Sequence, residues 1–588
     1  MKERWIEYTK KADFEAWGKE LRVSPLTARL IRNRDVTTVE EARSYLYGTM
    51  KDLSDPLLMK DLGKGAALLI AAVKLGEQIA IVSDFDDDGI FAGEILYEGL
   101  IRAGGQPRLY TPNRVAEGYG INERIIDAAK ADGCRMILTC DNGIAAMKEI
   151  AYAKSVGMTV IVTDHHEVQL ELPAADAVID PKQPDCRYPY KSLCGAGVAL
   201  RLIEELYRRL EIPGQELEKL FGYAAIATVA DVVELIGENR IIVREGLKKL
   251  HETTHPGLCA LIDACSLKKQ ELNAYHLGFV IGPSFNAVGR LSDVKLAFQL
   301  LQTEDPEEAR KLALEIRTLN ETRKEMTEDG FQEAVRVVEE EGLQDDQVLI
   351  VRLYDVHESV VGIIAGRLKE KYYRPVFVFT DTEQHTPDGK EILKGSGRSI
   401  PGYHMMNELL KQSELPEKFG GHAMAAGLSI AEDKLPLLKK ALNDACTLTE
   451  EEMTPVVYID ARVPLAYLSE QLIQEMDAIQ PTGTGNAKAV FARPHFKIHE
   501  MRLIGKNRNI LKMNVSDDSG RALDALLFRE TEEFLNLMRT EFGEREVEKA
   551  FMGHANALDA AFCYTPSINE YNGRKTIQIV CGGYCRIR

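Results

Sequence analysis

The sequence predicts an α/β protein: a mostly parallel, doubly wound sheet, then a long connecting helix, a second α/β region and a C-terminal β-barrel. Three observations support this fold class. Short apolar, strand-like runs alternate with helical stretches between about residues 65 and 245. A continuous amphipathic helical pattern covers residues 303–345, and from about residue 450 short strands alternate with turns. The 588 residues are enough for roughly three or four domains.

The doubly wound sheet is predicted from four apolar runs of β-type residues. They are "IAIVS" (79–83), "RLYTP" (108–112), "MILT" (136–139) and "TVIVT" (159–163). Helical stretches that end near a glycine follow the first three runs. A repeat of strand, helix and glycine predicts βαβ units and therefore parallel strand pairing. Ligands of such sheets bind at the carboxyl ends of the strands, so the residues that follow the runs are the candidate functional residues.

The pattern divides the chain into five segments. These are a helical extension (1–64), the doubly wound region (65–302), a connector (303–345), the second α/β region (346–446) and the barrel region (450–588). The connector reads as one or two helices, with Asp305 before Pro306 as a start signal and Gly330 as a candidate break. The second α/β region contains two glycine-rich elements, "KGSGRSIPG" (394–402) and "FGGHAMAAG" (419–427).

Composition and charge limit the function classes. The net charge of −18 argues against a protein that coats nucleic acid with its whole surface, although it leaves room for a local basic channel. The N-terminal stretch is charged throughout and lacks an apolar signal region, and the ten cysteines are scattered without a CxxC pair. We therefore expect a cytoplasmic protein with reduced thiols and no membrane partner.

Carboxylates and imidazoles follow three of the four runs and one further apolar segment, "AAIATVADVV", which reads equally well as helix or strand. They are Asp84, Asp86, Asp87, Asp88, Asp141, Asp164, His165, His166 and Asp231. Carboxylates this close together require protons or cations to compensate their charge. Mixed carboxylate and imidazole ligands suit manganese, or magnesium with more water, better than a structural zinc site. Two cations about 3.5–4 Å apart would activate a water and stabilise the leaving oxygen in phosphoester hydrolysis.

Alone, the aspartate-rich "DFDDDG" is more typical of a solvated turn or a calcium loop. An EF-hand needs a glutamate at loop position twelve, and counting from Asp84 this position holds Ile95. The carboxylates and histidines from separate strand ends favour a shared metal site instead.

These residues carry a family resemblance. "DFDDDG", "CDNGI", "TDHHE" and "ATVADVV", in this order, resemble the four motifs of the DHH phosphoesterase superfamily. "GPSFNAVGRL", "HESVVGIIAGRLKEKYYRPVFVF", "GSGRSIPG" and "FGGHAMAAGL" resemble the bacterial RecJ exonuclease pattern with its DHH-associated domain. "IQPTGTGNAKAVFA" and "RLIGKNRNILKMNV" resemble the RecJ OB-fold. The resemblance covers about residues 60–530 and assigns a DHH domain to 65–302, a DHH-associated domain to 346–446 and an OB-fold to 450–588.

The resemblance implies a 5′→3′ exonuclease that degrades single-stranded DNA in repair and recombination. Two divalent cations, Mn²⁺ or Mg²⁺, would be held by Asp84, Asp86, Asp88, Asp141, His165 and Asp231. Which aspartate of the first motif bridges them stays open. Asp164, His165 and His166 would form the catalytic DHH signature, with His166 polarising the scissile phosphate. The implied partners are single-stranded DNA with a free 5′ end, a helicase and a single-strand-binding protein, and we expect a monomer.

Glycine-rich backbone can approach phosphate closely and offer N–H groups. Together with the resemblance, this predicts a nucleic-acid-binding set in and before the DHH-associated domain: Asn286, Arg290, Ser396, Arg398, Gly420, Gly421 and His422. An OB-fold adds a basic track for single strands, for which the candidates are Lys506, Arg508 and Lys512.

The sequence departs from the family pattern at several positions, two of which concern named side chains. Ser284 stands where RecJ proteins usually carry arginine, and Asp87 is an additional acid whose side chain we expect to point away from the metals. Two other functions stay open at this point. One is a DHH phosphodiesterase acting on short oligonucleotides or cyclic dinucleotides. The other is a nuclease-inactive replication scaffold, which would be expected to have lost metal ligands that are present here.

Overall fold

The computed structural model describes residues 3–114, 117–571 and 573–585, and the chain forms two compact units. Residues 1–52 and 455–588 form one unit, and residues 53–454 form the other. The helical extension predicted for residues 1–64 is therefore divided: its larger part folds with the C-terminal region, although about 400 residues separate them in sequence. None of the described helices combines the length and the apolar character needed to span a membrane.

The N-terminal part of the first unit is a strand followed by three helices: β1 (Arg4–Glu7), α1 (Phe14–Leu21), α2 (Pro25–Asn33) and α3 (Val39–Tyr47). Side chains cap these helices as their sequences predict. Ser24 accepts a hydrogen bond from the Thr27 amide before α2, and Thr38 and Glu41 form a capping box at the start of α3.

The second unit begins with a helix and a parallel sheet. Its elements are α4 (Leu62–Leu75), β2 (Gln78–Ser83), α5 (Asp87–Arg102), β3 (Gln106–Tyr110), α6 (Glu123–Ala131), β4 (Cys134–Cys140), α7 (Met147–Ser155), β5 (Thr159–Thr163) and β6 (Ala177–Ile179). The strand order is β3-β2-β4-β5-β6, and every pairing is parallel. Helices cover both faces, which explains the continuous apolar strands. The doubly wound sheet is confirmed.

Helices follow the sheet: α8 (Gly195–Arg209), α9 (Gly214–Ala230), α10 (Gly237–Glu252), α11 (Pro256–Ala264), α12 (Ala274–His276), a π-helical segment (Leu277–Ile281), α13 (Gly282–Leu291), α14 (Lys295–Gln302) and α15 (Pro306–Glu340). The segment that could be helix or strand is the end of α9. Gly330 does not break α15: the helix runs through it, and its missing side chain lets Ile364 approach, since a Cβ there would lie 2.6 Å from the Ile364 Cδ1.

The second α/β region contains β7 (Leu349–Arg352), α16 (Glu358–Tyr372), β8 (Val376–His385), β9 (Glu391–Arg398), α17 (Met405–Leu410), β10 (Lys418–Gly421), β11 (Ala425–Ala431) and α18 (Leu435–Ala445). Its sheet order is β10-β11-β9-β8-β7, in which β7 and β8 are parallel and the other pairs antiparallel.

The first unit is completed by β12 (Val456–Ile459), α19 (Glu470–Asp477), β13 (Phe491–Ile504), β14 (Ile510–Ser516), β15 (Ala522–Leu527), α20 (Thr531–Phe542), α21 (Glu544–Phe551), β16 (Asp559–Tyr571) and β17 (Arg574–Cys585). Strands β13 to β17 close into a barrel in the order β13-β14-β15-β17-β16, which confirms the predicted barrel. The barrel shares one hydrophobic core with α1–α3, and β1 pairs in parallel with β12. A buried ion pair between Arg34 and Asp460 joins the N-terminal helices to this core.

Candidate metal centre and arginine pocket

The aspartates of "DFDDDG" form a tight turn between β2 and α5. Asp86 is the N-cap of α5, and its side chain accepts a hydrogen bond from the Gly89 amide at 3.0 Å. Gly89 is required because a Cβ at this position would lie 2.6 Å from the Asp84 carbonyl oxygen. Asp88 is held differently: its carboxylate accepts hydrogen bonds from the Gly195 and Ala196 amides at the N-terminus of α8, at 2.6 and 2.8 Å. A helix N-terminus favours an anion, so α8 supports this carboxylate.

Asp141 follows β4 in the left-handed conformation, with φ of 59°. Its neighbour Asn142 fixes the turn, because the Asn142 side-chain Nδ2 donates to the carbonyl oxygens of Val82 and Cys140 at 3.0 and 2.9 Å. This contact joins the end of β4 to the end of β2. The Asn142 side chain thus joins two strand ends at one edge of the sheet, where they are predicted to meet.

Asp164 organises the "DHH" turn after β5. Its carboxylate accepts hydrogen bonds from the His166 Nδ1 at 2.7 Å, from the His165 amide at 2.7 Å and from the Ile144 amide at 2.9 Å. Burial opposes ionisation of Asp164, but the His166 contact and the histidine charges lower its pKa. Asp164 therefore orients the turn, while the His165 Nε2 points at the carboxylates.

The structure brings all six predicted metal ligands into overlapping groups. Three sets of ligand atoms lie within 4.8 Å of one another among the described residues: Asp84, Asp86, Asp141; Asp88, His165, Asp231; and Asp141, His165, His166. The His165 Nε2 lies 3.1 Å from the Asp141 Oδ1, 3.6 Å from the Asp88 Oδ2 and 3.9 Å from the Asp231 Oδ2. Asp141 and His165 each occur in two sets, so they join the groups.

The electrostatics of these groups are those of ligands that need a cation. Burial, reinforced by neighbouring aspartates, raises the pKa of Asp84, Asp141 and Asp231 well above the ordinary range. Burial also raises the pKa of Asp88, to about 6, and lowers that of His165 to about 3. The Asp141 Oδ1 and the Asp231 Oδ2 are buried without a hydrogen-bond partner among the residues that the structure describes. A neutral imidazole among crowded carboxylate oxygens fits manganese or magnesium by donor type.

Asp87 and Asn286 belong to the support of the acidic turn. Asp87 lies outside the three groups and faces α13: a Cβ added at Gly282 would lie 2.8 Å from its Oδ2. The Asn286 Oδ1 accepts a hydrogen bond from the Asp87 amide at 3.3 Å. Asn286, which the sequence suggests as a nucleic-acid ligand, is partly exposed and contacts the turn through this hydrogen bond.

A cavity of about 430 Å³ adjoins the acidic turn and collects arginines from three elements: Arg114 in the loop after β3, Arg290 on α13 and Arg398 on β9. Tyr119 links the cavity to the carboxylates, because it lines the cavity and its hydroxyl donates to the Asp141 carbonyl oxygen at 2.6 Å. Burial and the charges of neighbouring arginines lower the pKa of Arg290, to about 9. A cluster of like charges in a buried cavity favours an anionic ligand.

Arg114 is the main residue of this pocket that the sequence reasoning missed. Its guanidinium lies 4.5 Å from the centroid of the Phe85 ring, within the acidic turn. The sequence contains a signal for it, because Arg114 stands four residues after the end of β3, the predicted strand whose carboxyl end carries no predicted metal ligand. Ser396 also lines the pocket and accepts a hydrogen bond from Arg398 at 3.2 Å, as its place in the predicted set suggests.

The other predicted nucleic-acid residues lie elsewhere. Gly420, Gly421 and His422 are exposed at β10, the edge strand of the second sheet, and outside the lining of the arginine pocket. In the barrel unit, Lys506 and Arg508 are exposed in the turn between β13 and β14, and Lys512 on β14 pairs with Asp524 at 2.8 Å. Ser284 is buried and accepts a hydrogen bond from the Asn320 amide group at 3.0 Å.

The parallel sheet with acidic and histidine groups at its carboxyl edge defines a DHH phosphoesterase. Three family models match: the N-terminal domain of the DHH family over residues 78–228, the DHHA1 domain over 345–448 and the RecJ OB domain over 459–582. These matches confirm the family resemblance drawn from the sequence.

The chain belongs to the RecJ family. It is 36% identical over 582 residues to the single-stranded-DNA-specific exonuclease RecJ of Bacillus subtilis, covering 98% of this chain and 70% of that protein. It is 35% identical over 579 residues to the Escherichia coli exonuclease of the same name, covering 95% of each.

Two solved structures have a similar fold. RecJ of Thermus thermophilus in complex with Mn²⁺ has a TM-score of 0.81 at 24% identity, covering 99% of this chain and 79% of that one. An exonuclease RecJ bound to manganese has a TM-score of 0.57 at 30% identity, covering 66% and 94%.

Proposed function

We propose that this protein is a metal-dependent exonuclease that removes nucleotides from the 5′ end of single-stranded DNA. The observation that carries the proposal is the placement of an arginine pocket beside a cluster of buried carboxylates and one neutral histidine, with Tyr119 contacting both. The family membership supports the same reading, since the curated relatives are named single-stranded-DNA-specific exonucleases.

Two divalent cations, manganese or magnesium, would be held in the overlapping groups. Asp84, Asp86 and Asp141 would hold one cation, and Asp88, His165 and Asp231 the other. Asp141 is the best candidate for the bridging ligand, because its carboxylate contacts both sets. Bound cations would supply an activated water and stabilise the leaving oxygen of the phosphodiester. The protein contributes carboxylates held in place by α8 and by the Asp86 cap, so little rearrangement is needed.

His166 would act on the scissile phosphate. Its Nδ1 is bound to Asp164 at 2.7 Å, which leaves the Nε2 to face the substrate side. Burial opposes protonation of this ring, but the Asp164 contact and the neighbouring aspartates raise its pKa overall. A ring that protonates more readily can donate to a phosphate oxygen and stabilise the charge that develops during displacement.

The arginine pocket would receive the terminal 5′ phosphate. Guanidinium groups bind phosphate through paired N–H donors, and Arg398 and Arg290 are already oriented by their contacts with Ser396 and the Ser359 carbonyl oxygen. A phosphate held there would place the first phosphodiester near the metal groups, which would set the 5′→3′ polarity. The barrel, with Lys506 and Arg508 exposed, would bind the following single strand.

We further propose that the protein acts as a monomer in the cytoplasm, in DNA repair and recombination, with a helicase and a single-strand-binding protein that supply and cover its substrate. Single-stranded DNA with a free 5′ end is the substrate that the pocket suits. Short oligonucleotides enter the same site, so their hydrolysis is an expected side activity.

The test is a time course on single strands labelled at either end, with manganese and with chelator. Mononucleotides should appear from the 5′ end with manganese, and neither chelated reactions nor blunt duplex should yield them. Arg398→Met should raise the KM for a 5′-phosphorylated strand by about tenfold or more, equivalent to about 1.4 kcal/mol. Arg367→Met is the matched control, because Arg367 on α16 lies outside the pocket lining and contacts Glu328 and the Phe331 ring instead. Release that starts at the 3′ end would overturn the proposal.

A further inference from the structure

The arginine pocket contains a carboxylate that the proposed reaction does not use. Glu358 lines the cavity at the first position of α16, and its Oε2 lies 2.6 Å from the Lys394 Nζ. The Glu358 side chain is 19% exposed and that of Lys394 48%. An acid in a pocket for an anion weakens the binding of that anion by repulsion. We therefore asked which anions Glu358 would exclude from the pocket.

The geometry separates the pocket into two ends. Lys394, Ser396 and Arg398 alternate along β9 and therefore share one face of the strand. At one end this face meets Gly362 of α16, where a Cβ would lie 2.9 Å from both the Ser396 Oγ and the Arg398 Nη2. Glu358 stands one turn earlier on the same side of the helix, opposite Lys394.

The end beside Gly362 suits one phosphate. Ser396 and Arg398 offer donors there, and Arg290 approaches through the Ser359 carbonyl oxygen. A second or third phosphate attached to the first would extend toward the Glu358 carboxylate. Lys394 cannot receive it freely, because its ammonium group is already bound to Glu358.

The groove on the other side of the arginines is no more favourable for additional phosphates. A larger cavity of about 1170 Å³ also contains Arg114 and Arg290. Its other described cations each pair with an acid: Arg108 with Asp132 at 3.6 Å, Lys295 with Asp293 at 3.8 Å, and Arg124 with Glu117. Additional phosphates would therefore meet carboxylates on this side as well.

We propose that Glu358 makes the arginine pocket selective for a 5′-monophosphate end and disfavours a 5′-triphosphate end. The mechanism is repulsion of the additional phosphate charge, a form of discrimination directed against the wrong ligand. The inference rests on the proposed function, since it assigns the terminal phosphate of a DNA strand to this pocket. Glu358 is a specificity residue here and takes no part in bond cleavage.

The experiment compares kcat/KM for two DNA strands of one sequence, one with a 5′ monophosphate and one with a 5′ triphosphate, in manganese. The wild type should prefer the monophosphate by about tenfold or more, and Glu358→Gln should reduce this preference by about tenfold, which corresponds to about 1.4 kcal/mol. Lys394→Met removes the partner and leaves the carboxylate, so its preference should be at least that of the wild type. Glu328→Gln, which changes an exposed acid paired with Arg367, is the matched control.

The outcomes separate the two hypotheses. Equal rates on the two wild-type substrates, or an unchanged ratio in Glu358→Gln, would overturn the inference and leave the exonuclease assignment standing. A loss of preference in Lys394→Met equal to that in Glu358→Gln would also overturn it, because the ion pair rather than the carboxylate would then be responsible. Failure to shorten either strand would overturn the proposed function and the inference with it.

Discussion

Asp141→Asn is the sharpest test of the metal centre, because Asp141 belongs to two of the three ligand groups. The change removes one negative charge and leaves the shape and the turn unaltered. Cation-assisted phosphoester cleavage is worth several kcal/mol, so loss of the bridging carboxylate should lower kcat by about 10³-fold or more. Without metal, the variant should be at least as stable as the wild type, because burial raises the pKa of Asp141 and so opposes its charged form. The Asp141 Oδ1 lies 3.1 Å from the His165 Nε2 and has no hydrogen-bond partner among the described residues.

The assay combines exonuclease rates with thermal unfolding in chelator and in manganese. A cation present at 100 times its Kd stabilises the wild type by about 2.7 kcal/mol. At about 2 °C per kcal/mol for a large domain, Tm should rise by about 5 °C. Asp141→Asn should lose most of this rise, whereas the exposed control Asp185→Asn, whose side chain pairs with Lys60, should keep it. A full manganese response, or activity within tenfold of the wild type, would refute the ligand assignment.

Three further predictions concern a buried carboxyl group, two helix glycines and the barrel. Burial raises the pKa of Asp180 from 3.8 to about 7, so this group's contribution to stability is present below pH 4 and lost as the pH rises through 7. Denaturation in chelator should therefore show Asp180→Asn more stable than the wild type by about 1–3 kcal/mol at pH 8 and equal at pH 4; equal gains at both would contradict this. Gly246→Ala would overlap the Phe221 carbonyl oxygen and should lower the free energy of unfolding by about 1–3 kcal/mol. The Cβ of Gly366→Ala would meet no described atom within 4 Å, so this change should raise the free energy of unfolding by about 0.5–1 kcal/mol. Urea unfolding curves that shift in the same direction for both variants would contradict the packing argument. Residues 53–454 alone should still hydrolyse dinucleotides but bind long strands more weakly; equal loss of both activities would contradict a binding role for the barrel.

Much of the sheet and its functional edge could be predicted from the sequence, because both depend on local pattern. The β2, β4 and β5 strands are continuous apolar runs, and parallel topology places their carboxyl ends together. The aspartates and histidines that follow them therefore meet in the structure as predicted. Asp231 follows a helix rather than a strand. It is nevertheless predicted from the sequence, because its motif follows the other three motifs in the expected order.

The contacts that hold these ligands could not be predicted in the same way, since they join distant segments. The amides that support Asp88 come from α8, more than 100 residues later. The pairing of β1 with β12 joins segments about 450 residues apart, which local periodicity cannot reveal. The arginine pocket is formed by three elements that are distant in sequence. Arg290 and Arg398 are predicted because they belong to family motifs, whereas Arg114 belongs to none of them.

Three of the four aspartates after β2 have side chains in different surroundings. Asp86 caps its own helix, Asp88 is bound by the α8 amides, and Asp87 turns toward α13. Asp141 and Asp231, which come from other strands and helices, keep buried oxygens without partners. The Oδ2 of Asp87, which lies outside the three groups, is also buried without a partner among the described residues. A buried carboxylate without a partner destabilises the folded state. Binding of divalent cations to Asp141 and Asp231 should therefore stabilise the folded chain.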